Sequence, residues 1–463
     1  MVKITFIGAG SLVFGKNVLT DLLLFPALQK NTIICLEDID ANRLDLMFRY
    51  IKKFKEDYFD DKDITIEKTT NQRKAIEDAK YVIDSIHVGG LEAFKLDVEI
   101  PFKYGVSQTV GDTIGPGGVF RFLRATSTLK SILQDMQEVG HNADNDGIKP
   151  LLLNYANPMA MNTWFCNSIV PDSTVGLCHG IIGTAETLRI WAGLKREEFS
   201  YLCAGINHMA WFLEVWYKDS SVPNAKWQNA YPLIYKALED DPQKGETEKV
   251  RIDMMKAAGG YFMTEESRHL SEYVPYYRKL PNFVEKFEGR HLIGSYGIEQ
   301  AADYSMQVKL QGKFEKKLMN EIKRSKLPYK KVPTYEYASY IINAMETNEP
   351  YGFNGNVINK QAGLITNLPK GCCVEVPIFA DNHGLHPQGG IVLPTVCQAL
   401  CTSNIMVQKA AVEGVLEMNR EKIYHAILLD PNTACMCSTT EIREMVEEML
   451  KAEAKWIPKF LRS

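Results

Sequence analysis

Up to about residue 195 the chain alternates short apolar runs with amphipathic segments. The apolar runs have the length and the β-branched content of buried strands, and the segments between them carry apolar residues at helical spacing. Strands alternating with helices predict a doubly wound parallel sheet, which binds ligands over the carboxyl ends of its strands. The predicted strands are residues 4–7, 32–36, 64–66, 81–86, 151–153 and 175–177, and helices are predicted to begin near residues 14, 40 and 75.

Beyond residue 195 the pattern changes, because helical periodicity dominates and the polar connectors become longer. A strand is predicted at residues 374–377 and an amphipathic helix at residues 442–461. A chain of 463 residues exceeds the usual size of one compact core. We therefore predict two domains, an α/β domain at residues 1–194 and a mixed α+β domain at residues 195–463.

The composition, with 45% hydrophobic and 24% charged residues, is that of an ordinary globular protein. A net charge of -4 gives no basic groove for nucleic acid, and no apolar run reaches the length of a membrane span. Ten cysteines without regular spacing do not suggest a disulfide framework. The strand pattern begins at Val2, which leaves no room for a signal peptide, so we expect a cytoplasmic protein without nucleic-acid or membrane partners.

A glycine turn follows the first predicted strand and precedes a helix. Gly8 and Gly10 stand where a dinucleotide-binding turn needs them, although Val13 replaces the third glycine of the full pattern. Asp38, at the end of the second strand, suits ribose hydroxyls and would repel the extra phosphate of NADP, which favours NAD. A solvated acidic turn is the alternative. A second glycine turn, Gly89-Gly90, is predicted to let the backbone approach the cofactor closely.

Polar residues follow other strands and loops. Asp112, in a glycine-rich loop, would contact a sugar hydroxyl or a leaving group, or simply stabilise the turn. Asn154 and Asn157 end a buried strand and would either clamp a hydroxylated ligand or cap the connection to the next helix. Arg290 is a candidate cation for sugar binding.

Two apolar segments lead into Cys178 and His208. A thiolate and an imidazole delivered in this way would make a divalent metal site with open positions. The alternative is a buried structural cysteine and a histidine that binds no metal. Between these residues and the C-terminus, a segment dense in titratable groups contains Glu265, His269 and Tyr273.

Taken together, these segments resemble the family 4 glycoside hydrolases, the group that depends on NAD and manganese, and most of all its α-galactosidase branch. The resemblance implies a Rossmann-like doubly wound sheet of the lactate and malate dehydrogenase kind, with a C-terminal mixed α/β domain. It extends over nearly the whole chain. The matching segments are residues 4–11, 38–40, 111–118, 154–164, 176–179, 205–210 and 371–376.

The resemblance also implies an unusual hydrolysis. NAD takes a hydride from sugar C3, the resulting ketone acidifies the C2 hydrogen, and a base removes that hydrogen. The glycosidic oxygen is then eliminated from C1, water adds, and the hydride returns. A divalent cation, Mn²⁺ or another, would act as a Lewis acid near the C2 and C3 oxygens.

Several site residues are assigned by the resemblance alone. Cys178 and His208 match the positions of the metal ligands, and Asn154 matches a position that contacts substrate. The cofactor positions fall on Gly8, Gly10, Ser11 and Asp38.

The general acid and base are not fixed by this comparison. His179 stands where the branch acting on phosphorylated sugars has Asp or Asn, so a 6-phosphate substrate is not expected. His179 or Asp112 is our candidate for the acid. Glu265, His269 and Tyr273 stay open as candidates for the base.

Gly180 is the third residue of the cysteine motif. In the family that this chain resembles, the residue type at this position varies with the substrate. Serine accompanies α-galactosidases, glutamate the uronidases and glycine the α-glucosidases. Gly180 therefore favours an α-glucosidase, whereas the longer segments favour an α-galactosidase, which we prefer.

Two other classes of protein use related folds. A hydroxyacid dehydrogenase would need no metal, and a non-catalytic NAD-binding regulator would have no use for Cys178 and His208. The resemblance further implies a homodimer or a homotetramer that acts on a small sugar substrate.

Overall fold

A computed structural model describes residues 1–11, 14–142, 149–280, 302–360 and 363–462. Within these residues, no helix combines the length and the apolar character needed to cross a membrane. In the described part of the chain the strands β1 to β13 are, in order, Val2–Ile7, Thr32–Glu37, Ile64–Thr69, Tyr81–Asp84, Leu151–Asn154, Thr174–Gly176, Phe199–Ile206, Met209–Tyr217, Gln228–Asn229, Phe262–Met263, Tyr351–Ile358, Cys373–Asp381 and Gly384–Pro387.

Helices flank these strands, and short 3₁₀ turns lie at Pro26–Gln29, Arg196–Glu198, Pro242–Glu248 and Lys459–Leu461. The helices α1 to α16 are Phe14–Leu24, Ala41–Tyr58, Gln72–Ile76, Gly90–Lys103, Gly115–Val139, Met159–Ile169, Gly180–Trp191, Tyr231–Asp240, Lys249–Ala257, Ser267–Leu270, Ala302–Ile322, Tyr337–Thr347, Thr395–Leu416, Arg420–Leu428, Pro431–Ala434 and Thr439–Ala452.

The first six strands form a parallel sheet in the order β3-β2-β1-β4-β5-β6. This order is that of dinucleotide-binding doubly wound folds, and helices from the first part of the chain cover its faces. The prediction of a Rossmann-like doubly wound sheet is therefore confirmed. The carboxyl ends of these strands meet at one edge, where the polar residues of the first half gather.

Strands from the second half of the chain continue the same sheet. Beyond β6 the order is β11, β12, β7, β8 and β10, all joined in antiparallel fashion. Both predicted domains thus contribute to one sheet, and the boundary between residues 194 and 195 stays a prediction.

Three local expectations differ from the structure. Two long antiparallel strands, β7 and β8, follow residue 195 instead of helices, because their aromatic and β-branched side chains suit a sheet. Residues 115–118, expected in a loop, form the first turn of α5. Pro116 suits a helix start, and a Cβ at Gly118 would collide with the backbone of Thr113. The last long helix spans Thr439–Ala452, earlier than the predicted 442–461.

A buried ion cluster joins three helices. Arg124 of α5 donates to both carboxylate oxygens of Asp97 of α4, at 2.8 and 2.7 Å, and also to Glu453, which follows α16. All three side chains are fully buried. Burial and the charge of Asp97 raise the pKa of Glu453 well above its usual value, so Arg124 is chiefly the counter-charge of Asp97.

We predict that Arg124→Met destabilises the protein strongly, because the buried Asp97 carboxylate loses its counter-charge and the buried Glu453 carboxyl loses its hydrogen-bond donor. The expected loss is about 3–5 kcal/mol, measured as a fall in melting temperature and in the urea midpoint. Arg73→Met is the matched control, since Arg73 is solvent-exposed and ion pairs of exposed groups contribute little to stability. Equal stability of the two variants would contradict the assigned role of the cluster.

Candidate active site and metal centre

Cys178 lies just beyond the carboxyl end of β6, immediately before α7. Its sulfur is 3.2 Å from Nε2 of His208, and the backbone N–H of Gly180 donates to the same sulfur at 3.4 Å. His208 occupies the tight turn between β7 and β8 with a left-handed φ of 63°. Such a φ is uncommon for a residue with a side chain, and here it aims the imidazole back over the sheet. The structure therefore brings the two predicted metal ligands together.

Glu265 completes this group from a third direction. It follows β10 with a φ of 72°, and its Oε1 lies 3.4 Å from Nε2 of His208. One ligand atom each of Cys178, His208 and Glu265 lies within 4.8 Å of the others. Sulfur, nitrogen and oxygen donors converging on one point fit a divalent transition-metal ion.

The surroundings set the protonation of these groups. Burial raises the pKa of the Cys178 thiol well above its usual value, and the charges of Glu265 and Glu375 raise it further. Burial lowers the pKa of His208, which leaves a neutral imidazole suited to bind a metal. Burial would raise the pKa of Glu265, but His208 and His269 outweigh it and lower the pKa to about 2. A bound cation would convert the thiol to a thiolate.

A chain of hydrogen bonds extends from the far side of the His208 ring. Nδ1 of His208 and Nε2 of His269 each lie 2.9 Å from the hydroxyl of Tyr273. A neutral His208 ring that turns Nε2 to a cation carries its proton on Nδ1, which faces the Tyr273 oxygen and, at 3.2 Å, the Thr113 hydroxyl. His269 also lies 3.4 Å from Glu265 and 3.5 Å from Asp112. The three candidate bases are therefore neighbours.

The His269 imidazole is held in its charged form. Burial would lower its pKa, but the hydrogen bond to Glu265 and the charge of Asp112 raise the pKa to about 9. His269 is thus an imidazolium at neutral pH. A ring that already holds its proton is a poor acceptor of another.

Asp112 is held as a carboxylate. It accepts hydrogen bonds from Nδ2 of Asn157 and from the hydroxyl of Thr113, both at 2.8 Å, and Arg121 lies 3.9 Å away. Burial would raise its pKa, but Arg121 and His269 outweigh burial and lower it. An ionised carboxylate with these donors is poorly suited to give up a proton.

His179 has a different partner. Its Nε2 lies 2.7 Å from Oε2 of Glu336, which is buried, while the His179 side chain is 41% exposed. Glu336 immediately precedes α12, far along the chain. Sequence reasoning missed Glu336, because no local pattern connects it with the cysteine motif.

The glycine turn after β1 has the geometry of a cofactor site. Gly8 has a φ of 79°, and the backbone N–H of Gly10 donates to Oδ2 of Asp38 at 2.8 Å. A Cβ at Gly10 would overlap that carboxylate. Ser11 donates its N–H to the carbonyl of Gly8 at 3.0 Å. The residues predicted to bind the cofactor thus lie together at the carboxyl edge, and the compact turn fits the close approach of a pyrophosphate.

The remaining predicted residues have separate environments. Gly89 and Gly90 have positive φ at the start of α4, and a Cβ at Gly89 would overlap Ala93. Asn154 is fully buried, and its amide bonds to the backbone of Ala156, as a structural cap would. Arg290 lies outside the described residues.

A further residue that sequence reasoning missed is Glu272, which fastens the loop of Asp112. One oxygen accepts from the N–H of Thr109, from the Thr109 hydroxyl at 3.0 Å and from the N–H of Val110 at 2.9 Å; the other accepts from the N–H of Gly111 at 3.1 Å. Because Tyr273 is the next residue, one segment positions both a candidate base and Asp112. The dense titratable stretch was the only signal for it in the sequence.

Comparison with known proteins identifies the family. The sequence-family model described as family 4 glycosyl hydrolase matches residues 3–193. The family model described as family 4 glycosyl hydrolase C-terminal domain matches residues 203–433. The chain belongs to the family 4 glycosyl hydrolases, which confirms the resemblance.

Relatives extend the similarity over nearly the full length. An α-galactosidase of Rhizobium meliloti (strain 1021) and one of Bacillus subtilis (strain 168) are each 36% identical to this chain over 461 residues. The alignments cover 99% of this chain and 89% and 100% of the two relatives. A crystal structure of a 6-phospho-α-glucosidase from gut microorganisms, in complex with NAD and Mn²⁺, has a TM-score of 0.79 at 18% identity and covers 99% of both chains. The two share a fold.

We predict that Glu272→Gln loosens the loop at residues 109–112, because an amide N–H₂ would replace one of the two acceptor oxygens. The expected cost is about 1–3 kcal/mol, with faster hydrogen exchange of the Thr109, Val110 and Gly111 amides. Mass spectrometry of exchanged peptides measures this. Glu266→Gln is the control, since Glu266 is half-exposed and pairs with Arg268. Unchanged exchange in Glu272→Gln would refute the fastening role.

Proposed function

We propose that this chain hydrolyses α-galactosides with a bound NAD and a bound divalent cation, Mn²⁺ or a similar ion. The observation that carries the proposal is the meeting of Cys178, His208 and Glu265 at the same edge of the sheet as the glycine turn. A plain dehydrogenase has no use for such a donor set. The choice of sugar rests on the two α-galactosidases that match nearly the whole chain.

The residues fit both groups. Gly8, Gly10, Ser11 and Asp38 would hold NAD, with Gly89-Gly90 beside them, and Cys178 and His208 would hold the cation. When bound, NAD supplies a hydride acceptor and donor, and the cation a Lewis acid for the sugar oxygens.

Tyr273 is our candidate for the base that removes the C2 proton. Its oxygen faces an N–H of His208 and an N–H of the His269 imidazolium, both at 2.9 Å. Burial and the charge of Asp112 raise the pKa of the Tyr273 hydroxyl well above its usual value, and the two donors on its oxygen act against that rise by favouring the phenolate, the form that accepts a proton. His269 already carries its proton, and Glu265 faces the cation position.

His179 is our candidate for the acid that protonates the leaving oxygen. Its imidazole is accessible, and the buried Glu336 carboxylate, 2.7 Å from Nε2, holds the ring in place. Asp112 is held as a carboxylate, so we assign it, with Asn157, to binding of a sugar hydroxyl. Asn154 and Arg290 stay predictions for substrate contact.

An α-glucosidase of the same family is the second candidate. Gly180 favours it, because glycine at this position accompanies α-glucosidases in the resemblance described above. The whole-chain similarity to α-galactosidases favours our first choice.

We also propose a cytoplasmic location and a homodimer or homotetramer. All ten cysteines are free, which suits a reducing compartment. The assembly rests on the resemblance alone.

The first test compares hydrolysis of p-nitrophenyl α-galactoside and p-nitrophenyl α-glucoside, with NAD, Mn²⁺ and a reductant present. We expect cleavage of the galactoside that stops when NAD is omitted or the cation is chelated. Release of p-nitrophenolate is measured by absorbance.

Two results would contradict the proposal. Preference for the glucoside would show that the assigned substrate is wrong and would support the α-glucosidase, the second candidate. Cleavage of neither glycoside, with net NADH formation from a hydroxyacid, would remove the proposed activity altogether.

We predict that Cys178→Ser lowers the rate of glycoside hydrolysis by at least about 100-fold, because an alcohol does not replace a thiolate as a metal ligand. The affinity for NAD should stay near that of the wild type. NAD titration and the glycoside assay measure the two properties. Cys435→Ser is the matched control, since Cys435 is an exposed free thiol. Normal turnover of Cys178→Ser would show that the metal assignment is wrong.

A further inference from the structure

The Glu265 carboxylate occupies the space beside the proposed metal site where a side chain of residue 180 would lie. A Cβ placed at Gly180 would lie under 3.0 Å from Oε1 of Glu265, 3.4 Å from its Cδ and 3.7 Å from the sulfur of Cys178. No real Cβ makes a contact that short. The Glu265 carboxylate therefore fills space that exists only because residue 180 has no side chain.

The backbone holds Glu265 in this position. Its neighbour Thr264 donates its N–H to the carbonyl of Ala210 at 2.9 Å and accepts from the Ala210 N–H at 3.1 Å through its hydroxyl. This anchors the segment to β8, next to the turn that carries His208. The left-handed φ of Glu265 is a strained backbone conformation, and such strain persists where neighbouring structure imposes it.

The two carboxylate oxygens have different surroundings. Oε2 lies 3.4 Å from Nδ1 of His269, which orients the carboxylate. Oε1 lies 3.4 Å from Nε2 of His208, the same nitrogen that lies 3.2 Å from the sulfur of Cys178. Metal–ligand bonds of about 2.0–2.3 Å place neighbouring donor atoms roughly 3–3.5 Å apart. The two distances measured from Nε2 of His208 match this spacing, and the sulfur of Cys178 and Oε1 of Glu265 lie within 4.8 Å of each other.

We propose that Glu265 is a third protein ligand of the divalent cation, and that Gly180 is required to admit its carboxylate. The inference rests on the proposed function, because it takes Cys178 and His208 to bind that cation. Thiolate and carboxylate together balance the two positive charges, and the neutral imidazole adds none. One position fewer then stays open for sugar hydroxyls.

The test measures Mn²⁺ binding to the chelator-treated full-length protein, with free Mn²⁺ followed by its electron paramagnetic resonance signal. Glu265→Gln keeps the shape but removes the charge, and we expect it to weaken binding about 10–100-fold. Gly180→Ala should weaken binding to a similar extent, because the new methyl group displaces the carboxylate. The double variant should bind Mn²⁺ no more weakly than Glu265→Gln alone, since both substitutions remove the same contact between the Glu265 carboxylate and the cation.

Gly183→Ala is the matched control. Gly183 lies in the same helix, and a Cβ there meets no atom within 4 Å, so Mn²⁺ affinity should equal that of the wild type. NAD affinity, measured by titration, should be unchanged in every variant, which separates loss of the ligand from misfolding.

Each outcome decides between the claims. Wild-type Mn²⁺ affinity in Glu265→Gln would overturn the assignment of Glu265 as a third ligand. The proposed function would still stand if glycoside cleavage by the wild-type enzyme required the cation. Weak binding in Glu265→Gln but not in Gly180→Ala would overturn the requirement for glycine. A wild-type protein that binds no Mn²⁺ and cleaves no glycoside would overturn the proposed function itself.

Discussion

A balance of buried charges at the carboxyl edge of the sheet underlies the whole site. Asp112 and Glu265 are carboxylates, and the His269 imidazolium lies 3.5 and 3.4 Å from them. Burial alone would neutralise each group, but Arg121 and His269 keep Asp112 ionised, and His208 and His269 keep Glu265 ionised. Cys178 is subject to the same balance. Beside the negative Glu265 it keeps its proton until a cation arrives, which couples metal binding to release of a proton.

Much of the nucleotide-binding half could be predicted from sequence. Its strands are short, apolar and locally encoded, and Gly8, Gly10 and Asp38 stand at fixed distances along one unit of strand, turn and helix. Cys178 and His208 could be found for the same reason, since each directly follows an apolar run. Where a side chain lies at the end of a strand, the topology fixes its position.

Other features could not be read locally. Glu272 and Glu336 act through contacts with residues more than 150 positions away, and no periodicity marks such pairs. Glu265 reaches the cation position through a left-handed backbone that its own sequence does not favour. The strands β7 and β8 were misjudged because short apolar runs fit helices and buried strands alike, and pairing between them decides the outcome. Asn154 is a polar residue at the end of a strand, as a substrate contact would be, but its amide bonds to the backbone of Ala156 in the following loop.

The order of strands in the sheet bears on when the site can form during synthesis. Between β6, which leads to Cys178, and β7, which leads to His208, lie two strands made much later, β11 and β12. Asn356 of β11 pairs with Gly176, and Glu375 of β12 pairs with Gly205. A nascent chain that ends before Tyr351 contains Cys178 and His208 but lacks the two strands that lie between β6 and β7 in the sheet. The proposed metal site can therefore assemble only after about four-fifths of the polypeptide has been made.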